Sequence, residues 1–113
     1  MKSSVVVLLA ALCLTVNFQP GAVMDVVDGD TFDLYHVGVP AKERIRVLGV
    51  DTPERGKPNA AEATAFTTAW LQRGPFDMVT CKRDSFGRML GAISRNGERL
   101  DAALIAAGLG IVR

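Results

Sequence analysis

The sequence predicts a mainly β domain with two helices, an α+β fold. Five short segments alternate apolar and polar residues in the way that half-buried strands do. An apolar stripe at helical spacing lies between the third and fourth of these segments, and a second one follows the fifth. A chain of 113 residues has room for one such domain.

The first 22 residues are predicted to be a leader outside this domain. Lys2 precedes an apolar run over residues 5–16, and turn-prone residues 17–22 follow the run. The run is shorter than the roughly 20 residues that span a bilayer, and it matches the apolar part of a secretory signal peptide. The alternative is a buried N-terminal strand or helix. We therefore expect a signal peptide over residues 1–22, a domain over residues 23–113, and a secreted or periplasmic protein without a membrane anchor.

Charge and cysteine content limit the possible functions. The chain has 13 Lys and Arg residues against 12 Asp and Glu, and Lys2 is the only charge in the predicted leader. The predicted domain is therefore formally neutral, and any phosphate recognition must be local to a site rather than the work of a general basic field. Cys13 falls within the leader, which leaves Cys81 without a partner for an internal disulfide.

The first three predicted strands flank acidic turns. The first two, residues 23–27 and 31–36, lie on either side of Asp28-Gly29-Asp30, and the third covers residues 43–48. Gly49 follows the third strand directly, which is typical of a bulge or of a close backbone approach.

The second half of the chain predicts a helix, two strands and a final helix. The first helix begins at Asn59, whose side chain can cap the first turn together with Glu62, and Gly74-Pro75 ends it. Ala63, Phe66 and Trp70 form its apolar stripe and are expected in the core. The later elements are strands over residues 76–81 and 88–94, a turn at Asn96-Gly97, and a short helix before Gly108.

Five strands with a helix between the third and the fourth match the partly open Greek-key barrel of the OB-fold. The competing architecture is a five-stranded sheet that carries both helices on one face.

Two carboxylates are predicted to meet at the end of this sheet. Asp30 opens the second strand and Asp51 closes the third, so both side chains can reach one point if these strands pair. Ca²⁺ binds carboxylate and carbonyl oxygens, which makes Asp30, Asp51 and the carbonyl of Thr52 its natural ligands. A zinc site is disfavoured because His36 is the only histidine. The alternative interpretation of Asp-Gly-Asp-Thr is an ordinary polar turn.

Arginines beside these carboxylates indicate phosphate chemistry. The planar fork of Arg46 suits two-point contact with a phosphate, and Arg88, at the start of the fifth strand, can project toward the same site. Two guanidiniums and a metal ion are what phosphodiester hydrolysis needs, because charge grows on the phosphate oxygens as water attacks. Glu54 is then available to orient or deprotonate that water. The alternatives are a structural ion pair of Arg46 with a neighbouring aspartate and a solvated loop position for Glu54.

Four blocks of sequence, in this order, resemble the thermonuclease (staphylococcal nuclease-like) family, and together they cover essentially all of residues 23–110. The blocks are Val27-Asp28-Gly29-Asp30-Thr31, the run from Arg46 to Glu54, Asp84-Ser85-Phe86-Gly87-Arg88, and Leu104-Ile105-Ala106-Ala107-Gly108-Leu109. The resemblance implies an OB-fold barrel and a Ca²⁺-dependent hydrolase. The implied enzyme is an endo- or exonuclease that acts on DNA and RNA and leaves 3′-phosphate ends.

The resemblance also implies a role for each matching residue. Asp30, Asp51 and the carbonyl of Thr52 bind the metal. Glu54 is the proposed general base, and Arg46 and Arg88 bind the phosphate. We further expect a preference for single-stranded or frayed nucleic acid as substrate and a monomeric protein.

The chain departs from the family pattern in three places, the first of which is a loop after Glu54 that is shorter than in the best-known members. Ser85 stands where a phosphate-binding lysine often precedes the aromatic-Gly-Arg triplet. The chain ends at Arg113, before the tyrosines that help to hold the base and before the last C-terminal helix. Base stacking contributes about 1–3 kcal/mol per base, so we expect weaker substrate binding with the catalytic residues intact. The alternatives to an active nuclease are a non-catalytic OB-fold module that binds nucleic acid and a truncated, inactive homologue.

Overall fold

The computed structural model describes residues 13–35 and 42–113. Within them the strands are, in chain order, β1 (Leu14–Phe18), β2 (Val23–Asp28), β3 (Thr31–Tyr35), β4 (Lys42–Val47), β5 (Val50–Asp51), β6 (Phe76–Arg83), β7 (Met89–Arg95), β8 (Glu98–Arg99) and β9 (Ile111–Val112). The helices are α1 (Ala60–Gln72) and α2 (Leu100–Ala106). Residues 36–41, which include His36, and the first twelve residues of the predicted leader lie outside the described part of the chain.

The main sheet has the strand order β1-β6-β7-β4-β3-β2, and β8 adds to β7. Most neighbours are antiparallel, but β4 and β7 pair in parallel, which brings strands from the two halves of the chain together. The prediction of a mainly β fold with two helices and an OB-type order of strands is confirmed. Across the described strands the pairing ends at β1 and β2 and does not close into a ring, as in a partly open barrel.

The first strand agrees with the alternative interpretation of the N-terminal apolar run, a strand, rather than with the predicted leader. Leu14–Phe18 pairs antiparallel with β6, from Leu14 opposite Thr80 to Phe18 opposite Phe76, and Cys13 forms a disulfide with Cys81. The prediction that Cys81 has no internal partner is therefore wrong for this chain. The reason is that an apolar run beside a free strand edge can pair with that edge, which the composition of a leader does not reveal. Removal of residues 1–22 on export stays a prediction.

The hydrophobic core fills the space between the sheet and the two helices. Its largest fully buried side chains are Trp70, Phe32, Phe76, Leu34, Ile45, Leu71, Ile93, Leu100 and Leu104. Trp70 lies in this core as predicted, and its indole Nε1 donates to Glu98 Oε1 at 2.6 Å. Neither described helix is long and apolar enough to cross a membrane.

The helix ends show one difference from the sequence prediction. Asn59 precedes α1 with φ of 68°, and its side chain makes no capping hydrogen bond. The predicted capping box is therefore wrong, because the left-handed backbone of Asn59 departs from the extended conformation that an N-cap residue normally has. The C-terminal signal holds: Gly108 has φ of 74° and donates to Ile105 O at 3.0 Å, so it ends α2 as such glycines do.

Candidate active site

A polar cleft of about 470 Å³ opens at one end of the sheet. It is lined by Asp28, Asp30, Thr31, Arg46, Asp51, Thr52, Glu54, Arg88 and Arg113. All six residues that the sequence predicted for the site are in this set. The cleft is within the size range of small-ligand sites, about 300–1,000 Å³. The structure thus brings the predicted residues together, although they come from four separate parts of the chain.

Three hydrogen bonds hold the acidic turn between β2 and β3 in place. Asp30 Oδ2 accepts the backbone N–H of Thr52 at 2.9 Å, and the Thr31 hydroxyl donates to Asp30 Oδ1 at 2.9 Å. From α1, the buried hydroxyl of Thr67 donates to Gly29 O at 2.6 Å. A Cβ at Gly29 would lie 2.8 Å from both Ala63 and Thr52. Only glycine allows the turn to pack this closely against the helix.

Arg46 is buried in the wall of the cleft and is oriented by its own strand end. Its Nη1 donates to Val47 O at 2.7 Å and to Val50 O at 2.8 Å. Its Nη2 faces the cleft, where it contacts Asp51 Oδ1 and lies 3.4 Å from Asp30 Oδ2. The structural ion pair that the sequence left open as an alternative is therefore present. Two carbonyls fix one side of the guanidinium and leave the other side toward the cleft.

Arg88 is held by the turn between β6 and β7. Asp84 Oδ2 accepts from Arg88 Nε at 2.7 Å, and Asp84 Oδ1 accepts the backbone N–H groups of Phe86 and Arg88 at 2.9 and 3.0 Å. The guanidinium also lies 5.4 Å from the ring centre of Phe86, which is 83% exposed. Asp84 thus shapes the turn and orients the arginine, and Arg88 lines the same cleft as the other predicted residues.

The two remaining predicted residues differ in exposure. Glu54 is exposed at the rim of the cleft, where solvent can reach its carboxylate. Thr52 is buried, and its hydroxyl oxygen has no hydrogen-bond partner among the described residues.

The two aspartates of the turn have opposite pKa shifts. Burial raises the pKa of Asp28 to about 6, and the neighbouring carboxyl of Asp30 adds to the increase. Burial also acts to raise the pKa of Asp30, but hydrogen bonds from Asp28 and from the Thr52 N–H, with the charge of Arg46, outweigh it and lower that pKa. Near neutral pH, Asp30 is therefore the firmly ionised carboxylate of the pair.

The donor set of the cleft fits a hard divalent cation. The carboxylates of Asp30 and Asp51 approach the same nitrogen atom of Arg46, which shows that both can turn toward one positive charge. The remaining polar lining adds hydroxyl and carboxylate oxygens, which such cations prefer. No group of three or more His, Cys, Asp or Glu side chains converges on one point within the described ranges. A cation would therefore depend on two carboxylates, a carbonyl and water.

Three residues of the cleft, Asp28, Thr31 and Arg113, were not predicted as site residues. Asp28 was recognised only as part of a turn, although the Asp-Gly-Asp spacing already carried the signal. Arg113 carried no sequence signal. Its side chain reaches the cleft because β9 pairs with β5, with Ile111 opposite Asp51. Arg113 Nη1 then lies 3.2 Å from Asp51 Oδ1.

Fold and cleft together define an OB-type domain whose cleft suits an anion and a hard cation. A family model described as staphylococcal nuclease homologue matches residues 44–113. The chain is 33% identical over 101 residues to a protein named thermonuclease from Staphylococcus hyicus, covering 82% of this chain and 59% of that protein. It is 35% identical over 92 residues to a thermonuclease from Staphylococcus intermedius, covering 74% and 54%. It is 30% identical over 92 residues to endonuclease YncB from Bacillus subtilis (strain 168), covering 74% and 43%.

The chain therefore belongs to the staphylococcal nuclease-like family, as its sequence blocks predicted. It spans between 43% and 59% of the length of these three relatives.

Proposed function

We propose that this protein is a metal-dependent nuclease that hydrolyses phosphodiester bonds of DNA and RNA and leaves 3′-phosphate ends. One observation carries the proposal. A single cleft contains two carboxylates suited to a cation, two guanidiniums suited to a phosphate and a solvent-accessible glutamate suited to a water molecule. The names of the relatives, two thermonucleases and an endonuclease, support the same chemistry.

The arginines bind and stabilise the reacting phosphate in this proposal. Arg46 on β4 and Arg88 directly before the neighbouring strand β7 both line the cleft, and both side chains are held in place by protein groups before a substrate arrives. Fixed positive charge of this kind stabilises a transition state in which negative charge grows on phosphate oxygens. Because both side chains are already oriented, little reorganisation is needed when the phosphate binds.

Glu54 is proposed to position the attacking water and to accept its proton. Its exposed place at the rim leaves room for a water molecule between the carboxylate and a bound phosphate. General-base catalysis by a positioned carboxylate contributes about 10²–10⁴-fold to the rate. The leaving group is the 5′ oxygen of the next nucleotide, which produces the 3′-phosphate end.

The proposed cation is Ca²⁺, held by Asp30, Asp51 and the carbonyl of Thr52. When bound, it would polarise the phosphate and neutralise its charge. Asp30 and Asp51 both lie close to Arg46 Nη2, so their carboxylates can turn toward one positive charge. A cation near the phosphate would share these two carboxylates with the guanidinium, which supports the assignment. The calcium assignment otherwise rests on the family resemblance.

We propose a single-stranded or frayed nucleic acid as the substrate and a monomer as the functional unit. A phosphate in an extended or frayed strand can reach a cleft at the sheet end more easily than one in a continuous duplex. The formally neutral charge balance predicts modest affinity, because few phosphates outside the cleft would meet a basic side chain.

We further propose a secreted or periplasmic location. The apolar run near the N-terminus supports it, and so does the disulfide between Cys13 and Cys81, because such bonds persist mainly in oxidising compartments. The two features disagree about the start of the mature chain, since cleavage after residue 22 would remove Cys13. N-terminal sequencing of the exported protein tests this point: a start at residue 23 would contradict a role for the disulfide in the mature domain.

A binding module without catalysis is the second candidate function. The observation in its favour is that both proposed phosphate-binding arginines are already paired with aspartates, Arg46 with Asp51 and Arg88 with Asp84. Such pairs also stabilise a fold that has no catalytic role.

The experiment that separates the two candidates compares Arg88→Ala with Arg73→Ala in a digestion of denatured DNA with Ca²⁺. Arg73 lies away from the cleft, is paired with Glu98, and provides the same change in net charge. The proposed nuclease loses most of its activity with Arg88→Ala and keeps it with Arg73→Ala. Absence of digestion by the unmodified, folded protein would contradict the nuclease and favour the binding module.

A further inference from the structure

Arg113 is a third guanidinium of the cleft, and the proposed reaction does not use it. Its backbone N–H donates to Gly49 O at 3.2 Å, which continues the ladder between β5 and β9. This backbone hydrogen bond fixes the position of the Arg113 backbone, from which the side chain extends. The side chain then extends to Asp51, with Nη1 3.2 Å from Oδ1.

The charge of Arg113 is only partly compensated. Asp51 Oδ1 is also the oxygen that Arg46 Nη2 contacts, so one carboxylate oxygen serves two arginines. Arg46 is buried, whereas the side chain of Arg113 is 59% exposed. Of the two, Arg113 is therefore the one that can exchange its carboxylate for an anion from solution.

Arg113 also lies at the junction of two clefts. A second cleft of about 190 Å³, formed by the end of β4, the turn before β5, and residues Asp84 and Leu90, shares Arg46 and Arg113 with the first. A strand whose phosphate lies between Arg46 and Arg88 has to leave the first cleft at one of its edges. At the edge shared by the two clefts it would meet Arg113, which lines both of them.

We infer that Arg113 binds the phosphate next to the one that is cleaved, and so determines affinity for substrates with more than one phosphodiester. The inference rests on the proposed nuclease function. A planar guanidinium suits a phosphate by two-point hydrogen bonding.

The test measures binding of a fluorescein-labelled thymidine hexamer by anisotropy, in EGTA and at a series of KCl concentrations. The proteins are the unmodified chain, Arg113→Ala, Arg113→Lys and Arg73→Ala. Arg73 is the matched control, because its side chain is 58% exposed and also pairs with one carboxylate. A dinucleoside monophosphate, which has a single phosphodiester, is measured as a competitor.

We expect Arg113→Ala to weaken hexamer binding about tenfold, the size of one charge-assisted contact. The slope of log affinity against log salt should fall in magnitude by about 0.7, the value for one lost phosphate contact on a single strand. Arg113→Lys should keep the slope but not the full affinity. Binding of the dinucleoside monophosphate should not change, because it lacks the neighbouring phosphate.

Equal binding by Arg113→Ala and Arg73→Ala would overturn the inference and leave the nuclease proposal standing. Equal losses for the hexamer and the dinucleoside monophosphate would also overturn it, because Arg113 would then contact the reacting phosphate. Absence of hexamer binding by the unmodified protein at every salt concentration would overturn the inference, whereas digestion of DNA with Ca²⁺ tests the proposed function separately.

Discussion

Arg46 stabilises the fold and also serves the proposed site. One side of its guanidinium donates to two carbonyls at the end of β4, and the other side contacts Asp51 and Asp30. Removal of the arginine would leave buried Asp30 without its positive partner, and losses of this kind cost about 3–5 kcal/mol. A loss of activity in Arg46→Ala would therefore reflect lost stability as much as lost function. Substitutions of the exposed residues of the cleft test function with less effect on folding.

The most direct of these substitutions is made at Glu54. Glu54→Gln keeps the size of the side chain but removes the carboxylate that is proposed to accept a proton from water. We expect kcat for hydrolysis of single-stranded DNA to fall about 10²–10⁴-fold, the usual contribution of a general base. Because Glu54 is exposed, the melting temperature should stay unchanged. Initial rates with Ca²⁺ and a thermal melt measure both effects.

Glu62→Gln is the matched control for this substitution. Glu62 is also exposed, and it lies in the first turn of α1 outside the cleft. The two variants change the net charge equally, so a difference in their rates of hydrolysis is due to the position of the substituted residue. If Glu54→Gln and Glu62→Gln hydrolyse DNA at the same rate, Glu54 is not the general base.

Asp33 provides a prediction about pH that does not involve the cleft. This buried carboxylate in β3 accepts from Arg44 Nε at 2.9 Å and from Arg44 Nη2 at 3.1 Å, and Lys42 Nζ lies 3.5 Å away. Hydrogen bonding by Arg44 outweighs the effect of burial and lowers the pKa of Asp33. Asp33→Asn should lower the free energy of unfolding at pH 7 by about 1–2 kcal/mol, allowing for solvent screening of the half-exposed arginine.

The sign of the pH effect follows from the lowered pKa. A group that binds its proton less tightly in the folded state stabilises the fold fully above the unfolded pKa of about 3.9. That stabilisation is lost as the pH falls through the folded value. Urea unfolding at pH 7 and near pH 3 should therefore show a difference between the unmodified protein and Asp33→Asn that shrinks in acid. A difference that is constant over this range would contradict the role of the carboxylate.

Among the strands and helices, β1 is the element that differs most from the domain that the sequence predicted. It covers one edge of β6, which would otherwise present unpaired backbone groups. Phe18 is buried and stacks on Phe76 with 5.7 Å between the ring centres. The Cys13–Cys81 disulfide fixes the start of the strand to the same neighbour. The N-terminal segment thus contributes backbone pairing, core packing and a covalent link.

A protein that begins at residue 23 should be markedly less stable than one that begins at residue 13. Truncation of a buried phenylalanine alone costs about 3–5 kcal/mol. A disulfide across a separation of 68 residues contributes about 4 kcal/mol in the loop-entropy account. We expect the shorter protein to lose a large part of its folding free energy. Thermal and urea unfolding of the two proteins measures the difference.

The double variant Cys13→Ser, Cys81→Ser separates the disulfide from the rest of the strand. It keeps β1 and its pairing with β6, so its stability should fall between those of the two proteins. A thiol titration of the unfolded, unreduced protein gives a second readout, and no free thiol is expected. Equal stability of the proteins that begin at residues 13 and 23 would show that β1 is dispensable.

The sequence predicted the long elements well and the short ones poorly. The strands β2, β3, β4, β6 and β7 and both helices were predicted, because each has enough residues to show its period. β5, β8 and β9 have two residues each, which is too short for any period. β1 was hidden because the apolar composition of residues 5–16 matches a leader as well as a strand, and the choice depends on the free edge of β6.

At the scale of the whole molecule, the cleft was predictable wherever its residues follow strand ends. Asp30 and Asp51 meet because β3 and β4 pair, with Thr31 opposite Arg46. Arg88 joins them through the parallel pairing of β4 with β7, and the family resemblance had already grouped these residues. Arg113 could not be predicted, because its place depends on a two-residue ladder between distant parts of the chain.

In our proposal this cleft is the active site of a Ca²⁺-dependent phosphodiesterase. The most direct test is the initial rate of hydrolysis of a 5′-labelled single-stranded oligonucleotide by the purified protein, with Ca²⁺ and with EGTA, followed by analysis of the product ends. We predict hydrolysis with Ca²⁺, none with EGTA, recovery when Ca²⁺ is restored, and products that end in a 3′-phosphate. Hydrolysis that continues unchanged in EGTA, or a folded protein that does not hydrolyse the oligonucleotide with Ca²⁺, would contradict the claim.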